Sequence, residues 1–173
     1  MDAKGRQAGP AREARFRLAA MYNSGEGLPQ DMGKAFKRFR RATLLGHADS
    51  QCQAAAMYLA GQGVPQDKAR ASRLFRGAAE NANTVAQHNL ACLYLLGDGV
   101  PVDKAEAMRW FRLAAGQGLS DAQYILGYMY LGGEAVTMDK AEAEMWFRLA
   151  AVQDHKHAKK TIDKINSMII QSN

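Results

Sequence analysis

Residues 84–119 read TVAQHNLACLYLLGDGVPVDKAEAMRWFRLAAGQGL. The opening Thr84-Val85-Ala86-Gln87 has the form of a capping box, in which a Thr hydroxyl caps an orphan N–H and a Gln reaches back. Leu90, Ala91 and Tyr94 then fall on one face at helical spacing. This predicts a first helix over roughly residues 84–96. Gly97-Asp98-Gly99-Val100-Pro101 ends it, because Gly supplies positive φ and Pro forbids immediate continuation. Asp103 is a natural N-cap for a second helix. Ala107, Trp110, Phe111, Ala114 and Ala115 give that helix an apolar stripe.

The same grammar recurs on both sides. Tyr22, Tyr58, Tyr94 and Tyr130 are spaced by 36 residues. Gly25, Gly61, Gly97 and Gly133 keep that interval, as do Asp31, Asp67, Asp103 and Asp139. So do Ala35, Ala71, Ala107 and Ala143, and so do Phe39, Phe75, Phe111 and Phe147, each phenylalanine followed by an arginine. A fixed period of this length is the mark of a repeat architecture. One helix pair cannot bury its own stripe, so stacked pairs must share a continuous core. The expected organisation is four helix–turn–helix units at about 12–47, 48–83, 84–119 and 120–155. A C-terminal capping helix and tail follow over 156–173, with Ala158, Ile162, Ile165 and Ile169 on its apolar face. Residues 1–10 lack periodicity and are expected to be flexible. The recurring Tyr, Gly and Phe positions are expected to be structural.

The pattern Ala86-Gln87, Leu90, Tyr94, Gly97-Asp98-Gly99-Val100 and Asp103, followed by Trp110-Phe111-Arg112-Leu113-Ala114-Ala115 and Gly118, resembles the Sel-one-like repeat (SLR), a relative of the tetratricopeptide repeat. The resemblance covers about residues 12–155. It implies an all-α, right-handed α/α solenoid of four 36-residue units. It also implies a protein-binding adaptor or scaffold, since members act in degradation complexes, bacterial signalling, host–pathogen contacts and toxin neutralisation. A toxin-neutralising immunity protein is therefore one alternative within the class. The chain departs from the pattern in its fourth turn, where Ala135 stands in place of Gly27, Gly63 and Gly99 and Thr137 in place of Pro. A retained positive φ at Ala135 costs on the order of 1 kcal/mol; otherwise the loop relaxes. Arg38 stands where later units have Leu74, Trp110 and Trp146, which makes the first unit wetter.

By similarity to the family, first helices line the concave side. The lines expected there are Phe16, Cys52, His88 and Tyr124; Ala20, Ala56, Cys92 and Tyr128; and Asn23, Leu59, Leu95 and Leu131. Glu13, Asp49, Val85 and Asp121 form the entering edge. Tyr and Leu are good anchors because they bury large area at little entropic cost. A groove centred on His88, Leu95, Tyr124, Tyr128 and Leu131 is expected to hold an extended or helical protein segment. The opposing expectation is that Cys52, Cys92 and Leu95 pack against the adjacent helix.

The rest of the sequence argues mostly by exclusion. The chain has 173 residues, is 47% hydrophobic and 23% charged, and carries a net charge of +6. No apolar run is long enough to cross a membrane, and no membrane insertion is expected. Nor does the N-terminus have a signal peptide's apolar centre, so the chain reads as cytoplasmic, or periplasmic if a leader has been removed. Cys52 and Cys92 form no zinc pattern and are expected to be free thiols, the axes of adjacent helices being too far apart for a disulfide. His155 and His157, two apart, should not share a helical face, and no metal or cofactor is expected. His47 and His155 are expected to cap carbonyls at the ends of second helices. Gly25-Glu26-Gly27 turns follow helices rather than strands, so they fail the context of a phosphate loop. No nucleophile–base arrangement has motif support, and no catalytic residues are assigned. The row Arg40, Arg76, Arg112 and Arg148 leaves one further alternative, a basic convex face associated with nucleic acid.

Overall fold

Each repeat's two helices meet through a bond that explains why its Tyr and Asp recur. The Asp backbone N–H donates to the Tyr carbonyl nine residues earlier: Asp31 to Tyr22 at 2.9 Å, Asp67 to Tyr58 at 2.9 Å, Asp103 to Tyr94 at 2.9 Å and Asp139 to Tyr130 at 3.0 Å. The Asp carboxylate then caps the second helix, accepting from the N–H of Lys34, Arg70, Glu106 and Glu142. One residue therefore closes the turn and starts the next helix, satisfying a donor that would otherwise be orphaned.

The structure is a computed structural model that describes residues 3–171, with side chains described for residues 12–165. Its elements are α1 (Ala3–Ser24), α2 (Met32–Thr43), α3 (Ala48–Ala60), α4 (Lys68–Glu80), α5 (Thr84–Leu96), α6 (Lys104–Gly116), α7 (Ser120–Gly132), α8 (Lys140–Val152) and α9 (Lys156–Gln171). Among the described residues there is no strand. The helix pairs α1/α2, α3/α4, α5/α6 and α7/α8 are the four units expected, and α9 is the expected added helix. Its turns start as a further first helix would, with Ala158 buried at the position held by Ser50, Ala86 and Ala122. Ile169 lies outside the described side chains. Helix α1 begins at Ala3, inside the stretch for which the sequence gives no periodicity.

The chain forms two compact units. Unit 1 runs to Ala86 and includes Asp98–Pro101; unit 2 comprises Gln87–Gly97 and the chain from Val102 onward. In each, the core is one phenylalanine per second helix, Phe39 and Phe75 in unit 1 and Phe111 and Phe147 in unit 2, all essentially sealed from solvent. Fully buried alanines surround them, Ala35, Ala42, Ala71 and Ala78 in the first unit and Ala107, Ala114, Ala143 and Ala150 in the second. Small side chains let the helices approach while the rings fill the space between. The recurring tyrosines are packed too: Tyr58 and Tyr94 are buried, and the Tyr130 hydroxyl accepts from Arg112 at 2.8 Å.

Second helices end in a Schellman motif. His47 N–H donates to the Ala42 carbonyl, Asn83 to Ala78, Leu119 to Ala114 and His155 to Ala150. The residue before each is left-handed: Gly46 (φ 71°), Ala82 (φ 59°), Gly118 (φ 92°) and Asp154 (φ 61°). Two of these four positions are therefore strained non-glycine residues.

Three sequence expectations need correction here. The cap of α5 is not Thr84 but Asn83, whose side-chain oxygen accepts from Ala86 N–H at 2.8 Å; at α7, where Ser120 and Gln123 have the same capping-box form, the N-cap is Leu119 with no side-chain cap. Gln87 and Gln123 look elsewhere. Gln87 Oε1 accepts from Gln117 Nε2 at 2.7 Å, and Gln123 Oε1 from Gln153 Nε2 at 2.9 Å. Next, the rings of His47 and His155 do not cap carbonyls; their Nδ1 atoms accept from Ser50 N–H and Ala158 N–H, starting the following first helices. Finally, His155 and His157 lie with ring centroids 6.0 Å apart, because His155 precedes α9 rather than lying within it.

Candidate protein-binding site

First helices supply the candidate positions, and the two units use them differently. In unit 1, Phe16 is spent on the core: its ring lies 5.7 Å from Phe39 and 4.9 Å from His47. Cys52 is buried, and burial pushes its thiol up to about 11. Asp49 accepts from Asn83 Nδ2 at 2.7 Å, joining one repeat to the next, and the half-buried Leu59 accepts at its carbonyl from Gln66.

In unit 2 the same register gathers aromatic rings. Tyr124 packs 4.5 Å from His155, 5.0 Å from Tyr128 and 5.7 Å from Phe147. Its hydroxyl donates to Tyr128 at 3.3 Å, and the Tyr128 hydroxyl meets Thr161 Oγ1 of α9 at 3.3 Å. Burial pushes the Tyr124 phenol up. Gly127 makes room for this cluster: a Cβ there would stand 2.7 Å from the Phe147 ring, where the other three units carry Ala19, Ala55 and Ala91. A mid-helix Gly costs roughly 0.5–1 kcal/mol, offset here by seating Phe147 against α7.

His88 and Cys92 turn to each other, Nε2 to Sγ 3.6 Å, and the His88 ring meets Phe111 edge-on at 5.6 Å. Buried His88 Nδ1 has no hydrogen-bond partner, and burial holds the imidazole below its ordinary value. It is neutral in the folded protein at neutral pH. Asp121, on the expected edge, bonds to His155 Nε2 at 3.1 Å. His155 Nδ1 already accepts, so Nε2 carries the proton and donates.

Leu95, Tyr128 and Leu131 remain. They line one open, mainly apolar depression of about 390 Å³ with Ile125, Met129, Gly132 and Glu134. Tyr128 is 45% exposed despite its contacts, and Glu134 at the rim is paired with Lys104 at 3.1 Å. The expected groove is thus divided: Tyr124 and His88 serve packing, whereas Leu95, Tyr128 and Leu131 face an opening. Sequence reading missed Ile125 and Met129, although both sit within a turn of Tyr128 and carry the helical spacing that could have found them. The fourth turn also keeps its backbone: Ala135 has φ 63°, so the loop does not relax and the strain stands.

The repeat family model described as the Sel1 repeat matches residues 12–47, 48–83, 84–119 and 120–155. The chain belongs to the Sel1 repeat family. Among solved structures it is similar to a protective antigen of uropathogenic Escherichia coli strains that displays an SLR fold, with 35% identity and a TM-score of 0.83 over 85% of this chain and 32% of that one. It is also similar to a Sel1 repeat protein from Oxalobacter formigenes, with 29% identity and a TM-score of 0.83 over 89% of this chain and 63% of that one. Cysteine rich protein B of Helicobacter pylori, 22% identical with a TM-score of 0.61 over 79% of this chain and 98% of that one, shares the fold. No curated protein matches. This Sel1 repeat chain thus spans about a third of the first relative and under two thirds of the second. Cys52 and Cys92 are both free, and among the described residues no cluster of three or more His, Cys, Asp or Glu could hold a metal ion. Nor is any described helix long and apolar enough to cross a membrane.

Proposed function

We propose that this chain is a protein-interaction module that seats a partner segment against the first-helix face of unit 2. Leu95, Tyr128 and Leu131 are its anchors. The observation that carries this reading is their shared depression, in which Tyr128 stays 45% exposed although the edge of its ring meets Phe147 at 5.0 Å. An aromatic–aliphatic patch of this kind, rimmed by the Lys104–Glu134 pair, has the composition of an interface core with a polar edge. We assign the chain a binding role and no catalytic step; the family it matches is a repeat family. Neutralising a toxin is one way to use such a face, and the identity of the partner decides it.

The test compares proteins captured from the native cell by the wild type and by a Tyr128→Ala/Leu131→Ala variant. The expected result is loss of specific captured proteins with unchanged far-UV circular dichroism. The same captured set from both would overturn the proposal.

A further inference from the structure

The net charge of this protein belongs to one of its two units. Residues 1–86 and 98–101 carry fourteen Lys and Arg against eight Asp and Glu, whereas the remainder carries nine against nine. The whole excess of +6 is therefore in unit 1. Much of it is concentrated on α2. Lys34 pairs with its cap Asp31 at 3.2 Å, but Lys37, Arg38, Arg40 and Arg41 have no carboxylate partner among the described residues. In unit 2 two of the three arginines on the corresponding second helices pair with a carboxylate of their own helix, Arg109 with Glu106 at 3.0 Å and Arg148 with Glu144 at 2.6 Å, while Arg112 donates to the Tyr130 hydroxyl.

An apolar residue stands in the middle of this charge. Leu44, at the C-cap of α2, is 81% exposed. It is shared by two depressions of unit 1. One, of about 310 Å³, is lined by Arg15, Arg38, Arg41, Leu44 and Leu45. The other, of about 290 Å³, is lined by Arg40, Arg70, Arg73, Leu44 and Leu74 together with Tyr58 and its neighbours. The surface therefore repeats one motif twice, an aliphatic floor beside three guanidinium groups, of which Arg70 is already paired with Asp67 at 3.1 Å.

We infer that this face is a second docking surface, distinct from the first-helix face of unit 2, and that its occupant is an acidic protein segment carrying apolar residues between its carboxylates. Guanidinium groups favour carboxylates through paired, charge-assisted bonds. The exposed Leu44 ridge needs an apolar counterpart, and Arg38, Arg40 and Arg41, left without carboxylates around an aliphatic centre, fit a ligand of opposite charge and mixed polarity. Single-stranded nucleic acid fits less well. It is held by stacking on exposed rings, and the aromatic of this face, Tyr58, is buried with Arg70 lying 5.8 Å over its ring.

Full-length protein titrated with fluorescent probes tests this. The first probe is a short peptide of Asp and Glu interspersed with Leu; the second has the same charge with Ser for each Leu. An oligothymidylate and phosphatidylcholine vesicles containing phosphatidylserine complete the set. The Leu-containing peptide should bind most tightly. Leu44→Ser and, separately, Arg38→Glu/Arg41→Glu should each weaken it about tenfold or more, the scale of losing an interface anchor. Tyr128→Ala should leave this binding unchanged, so failure here and failure of the unit 2 reading are separable. Equal or tighter binding of the oligothymidylate or the vesicles overturns the inference, as does equal binding of the Ser peptide or indifference to the Leu44 and Arg38/Arg41 changes.

Discussion

Unit 1 and unit 2 are built on the same backbone and differ in what they place on it. Both use the Asp N–H to Tyr carbonyl bond and the Asp cap, with nearly identical lengths. Beyond that they diverge in matched pairs. Where unit 2 has Glu106 and Glu142, each accepting from a Trp Nε1 at 3.1 Å (Trp110 and Trp146), unit 1 has Lys34 and Arg70 lying over Tyr22 and Tyr58, with Arg38 and Leu74 in the tryptophan places. Where unit 1 has Gln30 and Gln66 tying the turn to the carbonyls of Asn23 and Leu59, unit 2 has the exposed Val102 and Met138. Each change of charge comes with a change of the neighbour that would have met it. The lesson is that the scaffold is carried by a few backbone bonds and the sealed phenylalanines, which frees the rest to make one unit basic and the other aromatic.

The largest expected effects probe that division of labour. Tyr124→Ala should cost about 3 kcal/mol, since it removes a ring packed on Phe147 and His155. Tyr128→Ala should cost less, about 1–2 kcal/mol, because its ring meets Phe147 only along an edge and stays 45% exposed. Chemical denaturation of the two variants gives the comparison directly; equal losses would mean both tyrosines belong to the core.

Close behind is a glycine test. Gly63 has φ 69°, and a Cβ there would lie 2.3 Å from the Met32 carbonyl oxygen. Gly63→Ala therefore combines overpacking with strain and should cost about 3 kcal/mol. Its unit 2 counterpart already carries a Cβ at the same sign of φ. Ala135→Gly should accordingly stabilise by up to about 1 kcal/mol, read as a small rise in midpoint denaturant concentration.

The inter-repeat glutamine bond offers a gain in unit 1. Gln87–Gln117 and Gln123–Gln153 are formed in unit 2, but the corresponding partner of Gln51 is Asn81, one methylene shorter. Asn81 Nδ2 donates instead to the Gly77 carbonyl, and Gln51 Oε1 is buried without a partner. Asn81→Gln should restore the bond and add about 1 kcal/mol, seen as a Tm rise of about 2–4 °C. No rise would show that Gln51 finds its partner another way.

The smallest effect is a pH dependence confined to unit 2. Burial holds His88 below its ordinary value of 6.5, so the unfolded chain takes up that proton first. The His88 contribution is fully present above pH 6.5 and is lost as pH falls through that value towards the lower folded one. His88→Phe, which matches Phe16 of the first repeat, should flatten this part of the stability–pH curve. An unchanged acid slope would place the titration on another group.

Much of this was legible in the sequence because the repeat registers report on the backbone. Helix pairs, Asp caps, positive-φ glycines and buried phenylalanines each follow from one residue type recurring at one interval. What the sequence hid lies between repeats. Asn83, His47 and His155 cap through side-chain geometry that no local pattern marks. Gln87 resembles a capping-box residue until its partner, thirty positions along, is in view. The groove was half legible for the same reason: spacing put Tyr124 and Tyr128 on one face, but only the His155 ring, stacked on Tyr124 at 4.5 Å, separates the more covered ring from the one left 45% exposed.

Hydrogen exchange on the complex formed with a captured partner tests the central claim most directly. Slowed exchange concentrated in α7 and the C-terminal half of α5, around Leu95, Tyr128 and Leu131, is the predicted footprint. Protection of unit 1 alone, with those segments exchanging as in the free protein, would contradict it.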